Sequence, residues 1–569
     1  MSLFGSLRLG GAAIEAQRLA LQVTGNNIAN AGTAGFVREE AKLVPVTPSR
    51  FGNLAIGNGV SVAGIQRKID VYLTERARQA NSEFEADNAR STFLQRMENV
   101  FNELGDEDLS TVFSDFYESI QDVQNDPSNV ALRSLAVRRG GVVADTIRSI
   151  RGRLDDLSKD ISQEVRLTAD EINQSLRAVN DLNGQIGAIE AGGNSEASSL
   201  RTARDQELAK IGSKIDIRVI EQPNGGVAVY TRDGSQPLVL GGLVQELDTT
   251  RSAVDGVLVD TLVVRDSGYV VPTTGGRLGG AQQARDVDIA SVNDALDSLT
   301  SNFIFEFNKL FSSGQGLKNF TNLTSVDRVL DPNANLDSAA ANLNFTPTNG
   351  AFELRITNRN TDLVQTTVIQ VDLDGIGTDD SLNSIVGKIN AAFGSTAASV
   401  TAPGNLQIVA PQDVDFSFAN DTSGFLAAIG LNTFFTGKDS HDIGVNGVLK
   451  SDGSYFAAST SGNPGDVSNA IALASFQDKA LAGLNGLSAN QFYTGLIADL
   501  GSMSQEARVS ANISDSTRQA LDAENLSISG VSLDEETINL LSFQRSFQAS
   551  ARYVSTINEL LDEVINLTR

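Results

Sequence analysis

Both ends of the chain carry the spacing of an amphipathic helix, although about 500 residues separate them. Residues 3–28 place small and large apolar side chains at steps of three and four. One series of apolar positions is Leu9, Ala13, Ala16, Ala20 and Val23. Beside it, a second series recurs at seven-residue intervals and consists of Leu7, Ile14, Leu21 and Ile28. Residues 533–565 keep the alternation of a coiled-coil seam. Its members are Leu540, Phe543, Phe547, Ser550, Val554, Ile557, Leu561 and Val564. The patterns predict one helical unit built from both termini, the alternative being two helices that close an ordinary globular core.

Glycines interrupt the N-terminal pattern at Gly5, Gly10 and Gly11. Each costs a helix about 0.5–1 kcal/mol relative to alanine. A helix of this length is close to the limit of stability when isolated. We therefore expect it to need a partner surface, for which the C-terminal seam and its copies in neighbouring subunits are natural candidates.

Composition narrows the class of protein. A length of 569 residues predicts three or four domains. The net charge of −26 repels nucleic-acid phosphates and anionic membranes, so neither partner is expected. Cysteine is absent, which excludes disulfides and thiolate chemistry. The first residues form no continuous apolar segment, so we expect no cleaved secretory signal, and no run of about 18 apolar residues predicts a membrane span.

Helical and β-type patterns alternate along the chain. The order predicts an α+β multidomain protein, with two β-rich domains inserted into a long-helix coiled-coil or bundle stem formed by both chain termini. The expected parts are residues 1–70 with 525–569 as a terminal helical assembly domain, 71–212 with 283–317 and 461–524 as a helical stem, 213–282 as a β domain, and 318–460 as an outer α+β insertion.

The sequence gives little evidence of a catalytic or metal-binding motif. His441 is the only histidine, so a histidine metal site or a catalytic triad has almost no material, and we expect an exposed loop residue without a role. Asp372, Asp374 and Asp379 lack the spacing of an EF-hand and predict an acidic turn. The glycine-rich segment Gly275–Gly280 lacks the lysine of a phosphate-binding loop. We expect no enzyme activity, no cofactor and no metal.

Several segments resemble a known family. Asn26–Phe36 is similar to the N-terminal signature of flagellar rod, hook and hook-associated proteins, although Ala34 stands where a proline is typical. Ser529–Glu536 and Phe543–Arg552 resemble the C-terminal segment of the hook-associated members. Leu200–Val219, and Gly275–Gly280 followed by Arg285-Asp286, are similar to the same members.

The resemblance implies a structural subunit of the bacterial flagellum at the hook–filament junction. It implies export through the flagellar type III apparatus without a cleaved signal, an extracellular location, and terminal helices that pair into an inner tube. The implied partners are further copies in a ring or helical assembly, the flagellar hook protein, hook-associated protein 3 and a flagellar export chaperone. The residues expected at the assembly interface are Leu7, Ile14, Leu21, Ile28, Asn26, Asn27, Asn30, Leu540, Phe543, Phe547, Val554, Ile557, Leu561 and Val564.

Two other functions stay open on the sequence alone. The chain could be another axial subunit of hook or rod type, although the long helical stretch after Val71 favours the hook-associated members. It could also be an adhesin-like protein in which residues 318–460 recognise a surface.

Overall fold

A computed structural model describes residues 3–33, 35–51, 54–102, 108–192, 196–254 and 256–567. Ala34, the departure from the N-terminal signature, lies outside these residues. The protein is an α+β multidomain chain, as the sequence predicts. It divides into two compact units. Unit 1 comprises residues 1–93, 158–286 and 505–569, and unit 2 comprises residues 94–157 and 287–504. The division of the chain into four parts stays a prediction.

Long helices dominate the described residues. The helices are α1 (Leu3–Asn30), α2 (Val71–Asn102), α3 (Leu109–Asn125), α4 (Val130–Glu190), α5 (Ser198–Lys214), α6 (Gly276–Gln283), α7 (Ala290–Ser312), α8 (Leu382–Phe393), α9 (Phe425–Ala428), α10 (Gly447–Ser451), α11 (Ser468–Ser475), α12 (Ala489–Ser529) and α13 (Leu533–Leu567). A π-helical segment, Ala284–Ile289, joins α6 to α7. Within the described ranges, no helix is both long and apolar enough to cross a membrane.

Unit 1 contains small antiparallel sheets. Its strands are β1 (Glu39–Pro45), β2 (Ser49–Phe51), β3 (Leu54–Ile56), β4 (Val60–Arg67), β5 (Ile217–Glu221), β6 (Val227–Thr231), β7 (Pro237–Leu240), β8 (Leu243–Val244), β9 (Leu247–Val254) and β10 (Val257–Val264). β1 pairs with β4, β2 with β3 and β9 with β10, while β5 to β8 form one sheet in chain order. The sequence predicts an extended segment over residues 36–70 and β structure over residues 215–280. These strands confirm both predictions except at the end of the second range, where α6 already begins at Gly276.

The core of unit 1 joins the second half of α4 to this β structure. Val165, Ile172 and Val179 occupy one helix face and pack in a cluster with Val229 and Leu262. Apolar residues at steps of three and four predict a long helix over residues 143–189, which α4 confirms. The same residues form the buried face of α4. α4 is therefore held by tertiary packing rather than by its own propensity.

A close approach of two helices fixes another part of unit 1. Gly280 in α6 lies against α2, and a Cβ atom at this position would overlap the backbone carbonyl oxygen of Ala86. Backbone atoms cannot rotate away as a flexible side chain can. The contact therefore requires glycine at position 280.

Unit 2 contains the second β-rich stretch. Its strands are β11 (Asn322–Thr324), β12 (Gly350–Asn358), β13 (Leu363–Val371), β14 (Ala398–Val400), β15 (Leu406–Val409), β16 (Val414–Ala419), β17 (Phe435–Thr436) and β18 (Gly444–Val445). β12 is the centre of a sheet ordered β13-β12-β16, and β15 of one ordered β11-β15-β14. Within this stretch the sequence predicts strands at residues 352–356 and 367–373 and a helix over residues 381–393. β12, β13 and α8 confirm these predictions.

Phenylalanine supplies the bulk of the helical core of unit 2. Phe116, Phe307 and Phe434 are fully buried, with ring centroids 5.4–5.5 Å apart. Phe303 and Phe435 extend the cluster, with centroids 5.0 Å apart. Aromatic pairs at such distances contribute about 0.5–1.5 kcal/mol beyond their burial. A chain without tryptophan or cysteine thus builds a dense core from one residue type.

One half-buried carboxyl group makes the stability of unit 2 depend on pH. Burial raises the pKa of Asp327 to about 6, and repulsion from Asp442 adds to the increase. The hydrogen bond that Asn344 donates at 3.1 Å lowers the pKa but does not cancel the effect of burial. The folded state therefore retains a proton that the unfolded chain releases near pH 4. Between these pH values the folded state binds more protons than the unfolded state, so its stability falls as the pH rises.

We expect the free energy of unfolding of unit 2 to fall between pH 4 and pH 7 by roughly 2–3 kcal/mol more in the native chain than in Asp327→Asn. Denaturant titrations of both chains across this range measure the difference. Asp337→Asn changes an exposed carboxylate and is the matched control. Identical pH profiles for native and D327N chains would contradict the assignment.

Candidate assembly interface

α1 and α13 pack against each other within unit 1, which brings the two ends of the sequence together. α1 also contacts β1 and β4. The residues that α1 buries are mostly small, and they are Ser6, Gly10, Ala16, Ala20, Val23, Thr24 and Asn27. Ala16, Ala20 and Val23 belong to the stripe that the sequence marks as apolar. The face of α1 that carries these small residues thus makes the contacts inside the subunit.

Larger apolar side chains stay partly uncovered. Leu7, Ile14, Leu21 and Ile28, the seven-residue series, are half-buried. On α13 the seam residues Leu540, Phe543, Phe547, Val554 and Leu561 are also half-buried. Ile557 is buried, with 8% of its surface exposed, whereas Val564 is 46% exposed. The subunit alone therefore covers only part of the two patterns.

Gly10 allows the close approach of the two helices. A Cβ atom at this position would lie 2.5 Å from Cγ2 of Val554 and 3.1 Å from Cδ1 of Tyr553. At Gly11 and Gly25 a Cβ atom would meet nothing within 4 Å. From the sequence alone, the glycines of α1 are expected only to weaken the helix. The structure shows that Gly10 is also needed for the close packing of α1 against α13.

The signature asparagines fix the path of the chain after α1. Asn27 is 1% exposed, its Nδ2 donates to the backbone oxygen of Glu39 at 2.8 Å, and its Oδ1 accepts from the Glu39 amide at 3.0 Å. Asn26 donates to the Glu39 carboxylate at 3.1 Å, and Asn30 donates to the backbone oxygen of Asn26 at 2.9 Å. Asn27 therefore acts inside the subunit, where it anchors the start of β1, while Asn26 stays exposed and Asn30 half-buried.

Arg38 clamps the N-terminal segment to the start of α13. Its guanidinium lies 2.7 Å from carboxylate oxygens of both Glu535 and Glu536, and its amide donates to the backbone oxygen of Ser529 at 2.9 Å. The Glu536 contact is close in distance but not directed as a hydrogen bond. Burial disfavours the charge on Arg38, yet the two glutamates outweigh it and raise the pKa of this group.

A cavity of about 680 Å³ lies where the two signature segments meet. Its walls are the residues after α1, the connection between α12 and α13, and one face of α5. Asn525 lines it, and the side-chain oxygen of Asn525 is buried without a hydrogen-bond partner among the described residues. The sequence did not predict the cavity or the Arg38 clamp, because each joins residues that lie far apart in the chain.

Family models match three parts of the chain. Residues 7–36 match the flagella basal body rod protein model, and residues 523–567 match the C-terminal model of the flagellar basal body rod FlgEFG proteins. These matches fall on α1 and α13, so the paired termini place the chain in the class of flagellar rod, hook and hook-associated proteins. Residues 94–323 match the helical domain of flagellar hook-associated protein FlgK.

Curated relatives match this chain along nearly its whole length. The chain is 26% identical over 575 residues to flagellar hook-associated protein 1 of Bacillus subtilis, covering 99% of this chain and 98% of that protein. It is 24% identical to its Escherichia coli counterpart, with 97% and 98% covered. The flagellar hook junction protein FlgK from Burkholderia pseudomallei has the same fold, with a TM-score of 0.50 at 15% identity, covering 80% of this chain and 100% of that one.

The chain therefore belongs to the flagellar hook-associated protein 1 (FlgK) family. It is a structural component of the bacterial flagellum, from a family that is not enzymatic, and it associates with other flagellar components.

Proposed function

We propose that the chain is the structural subunit at the junction between flagellar hook and filament, and that it assembles through α1 and α13. The observation that carries the assembly mechanism is the pairing of the two terminal helices, which buries their small residues and leaves larger ones uncovered. The four residues Leu7, Ile14, Leu21 and Ile28, together with the seam of α13, form the surface that neighbouring copies cover.

Exposed apolar side chains on α13 support this role. Ile538 is 67% exposed and Leu567 is 78% exposed, and Leu541, Leu560 and Ile565 are exposed as well. Single exposed apolar residues are ordinary, but several along one helix mark an interaction surface. Burial of a large apolar side chain contributes about 1.5–3 kcal/mol, less the cost of ordering it. A handful of these residues therefore decides between free and assembled subunits.

The partners follow from the position of the subunit. Neighbouring copies complete the helical surface, the hook protein lies on one side of the junction, and hook-associated protein 3 lies on the other. An export chaperone covers the apolar surface before assembly. The chain reaches the outside of the cell through the flagellar export apparatus. The absence of cysteine suits this route, because an unfolded chain without thiols passes without cross-linking.

Two deletions test the proposal. We expect a chain without residues 535–569 to keep a folded unit 2 but to be missing from isolated flagella, since it lacks most of α13. Immunoblots of purified flagella measure incorporation, and circular dichroism shows whether unit 2 remains folded.

A chain without residues 318–431 is the comparison, because these residues lie in unit 2, outside the helical pair, and the deletion keeps Phe434 and Phe435 of the helical core. We expect it to assemble and to support motility. Incorporation of the α13 deletion would contradict the proposal. Loss of surface binding with intact motility in the 318–431 deletion would instead assign adhesion to that region.

A further inference from the structure

The only histidine of the chain lies beside two aspartates that the sequence does not connect to it. Asp297 comes from α7, and Asp439 and His441 come from the loop between β17 and β18. One ligand atom of each residue lies within 4.8 Å of those of the other two. Aspartate oxygen and imidazole nitrogen are common ligands of divalent transition metals. The count of histidines alone predicts no such site, but the fold brings the missing ligands to His441.

The imidazole of His441 stands between two carboxylates. Its Nδ1 lies 3.5 Å from an oxygen of Asp439, and its Nε2 lies 3.5 Å from an oxygen of Asp155 in α4. Both distances exceed those of well-formed hydrogen bonds. Donor atoms around a tetrahedral zinc ion, each about 2.0–2.1 Å from the metal, lie roughly 3.3–3.4 Å apart. The spacing of Nδ1 and the Asp439 oxygen therefore suits two ligands of one ion.

Asp155 lies where a supporting carboxylate is usual. In protein metal sites, the histidine nitrogen that does not bind metal commonly donates its proton to a carboxylate, which fixes the tautomer and the ring orientation. Asp155 is itself held by Arg151, whose Nε donates to it at 3.0 Å. A neutral His441 with its proton on Nε2, toward Asp155, presents the Nδ1 lone pair to the metal.

Asp297 is oriented in the same way. One of its oxygens accepts from the backbone amide of Ser440 at 3.1 Å and from the Ser440 hydroxyl, and the other accepts from Nη1 of Arg151 at 2.7 Å. Arg151 is 1% exposed, so this arrangement is built into the fold rather than formed on the surface. The supporting contacts leave further lone pairs on the Asp297 carboxylate for a ligand.

The local charge favours a cation despite Arg151. Asp155 and Asp297 form ion pairs with Arg151, and the ammonium group of Lys438 lies 3.5 Å from a carboxylate oxygen of Asp439. Three carboxylates against two cations leave a net negative charge beside the imidazole. A divalent ion would change the sign of this cluster and join α4, α7 and the 437–443 loop within unit 2.

We propose that Asp297, Asp439 and His441 bind one divalent transition-metal ion of the zinc class, with Asp155 as a positioning residue and water in the remaining coordination positions. The exposed group Asp372, Asp374 and Asp379 has a similar concentration of carboxylates but no nitrogen ligand. We assign no metal to it, and it provides a matched control.

The test is isothermal titration of the full-length, chelator-treated chain with ZnCl₂. We expect one site per chain and, in a parallel thermal melt, a higher melting temperature of unit 2 with zinc. His441→Ala should remove the site, and Asp155→Asn should weaken binding by about 10- to 100-fold. Asp374→Asn should bind as the native chain does. Because Asp297→Asn also disturbs Arg151, His441→Ala in the exposed loop is the decisive variant.

Cobalt gives a second measurement. With Co²⁺ in place of zinc, the native chain should show ligand-field absorption that is absent in His441→Ala and retained in Asp374→Asn. Absence of zinc binding by the native chain overturns the proposal. So does equal binding by a His441→Ala chain that circular dichroism shows to be folded, because the ion would then occupy another place.

Discussion

A chain with Gly10→Leu is expected to lose the pairing of α1 with α13 and, with it, incorporation into flagella. Even the first carbon of the new side chain would lie 2.5 Å from Val554, and the rest would lie deeper in the contact between the helices. Overpacking of a close contact typically costs 1–3 kcal/mol. α1 has little stability of its own to offset this cost, because three of its first nine described residues are glycines.

Gly11→Leu is the matched control, because position 11 is exposed and a Cβ atom there meets nothing within 4 Å. Leucine improves helix propensity at both positions alike. Hydrogen exchange of the free chain should therefore show lost protection over residues 3–30 in the Gly10 variant and unchanged or greater protection in the Gly11 variant. Immunoblots of isolated flagella then report incorporation of the Gly10 variant. Native-like protection in both chains would show that the approach of α1 to α13 is not as close as described.

Gly280→Ala is expected to destabilise unit 1 by about 3 kcal/mol or more, at the upper end of what overpacking causes. The added methyl group overlaps the carbonyl oxygen of Ala86, so the backbone of α2 or α6 has to move. The shift would spread to Leu278, which belongs to the core that α4 shares with the β strands. Hydrogen exchange over residues 80–93 and 276–283 measures the local loss of stability.

Gly184→Ala provides the comparison for this variant. Gly184 lies inside α4 of the same unit, and a Cβ atom there meets nothing within 4 Å. We expect this change to stabilise the helix by about 0.5–1 kcal/mol. An alanine at position 280 with the same small gain would contradict the described contact between α6 and α2.

Much of the secondary structure was predictable, because each element carries its own spacing. α4 follows from apolar residues at steps of three and four, and β12 and β13 follow from alternation. The pairing of α1 with α13 could be proposed from the matching patterns at the two ends. Such patterns report which face of an element is apolar, and this information is local to the element.

The missed features all depend on residues that are far apart in the chain. Arg38 meets Glu535 and Glu536 across almost 500 positions, and neither side carries a local pattern that indicates the other. The packing role of Gly10 depends on Val554 in the same way. His441 has no ligand partners nearby in sequence except Asp439, since Asp297 and Asp155 belong to separate helices. Tertiary contacts of this kind follow from the fold and not from periodicity.

The clamp between Arg38 and the start of α13 also sets an order of events. Unit 1 takes its first segment from the beginning of the chain and its last segment from the end, so none of its closing contacts can form before residue 535 is available. Joining such distant segments carries a loop-closure cost that short-range contacts avoid. α1 therefore has no partner helix within the subunit until α13 is available. The surface proposed for assembly is complete only when both ends of the sequence have come together.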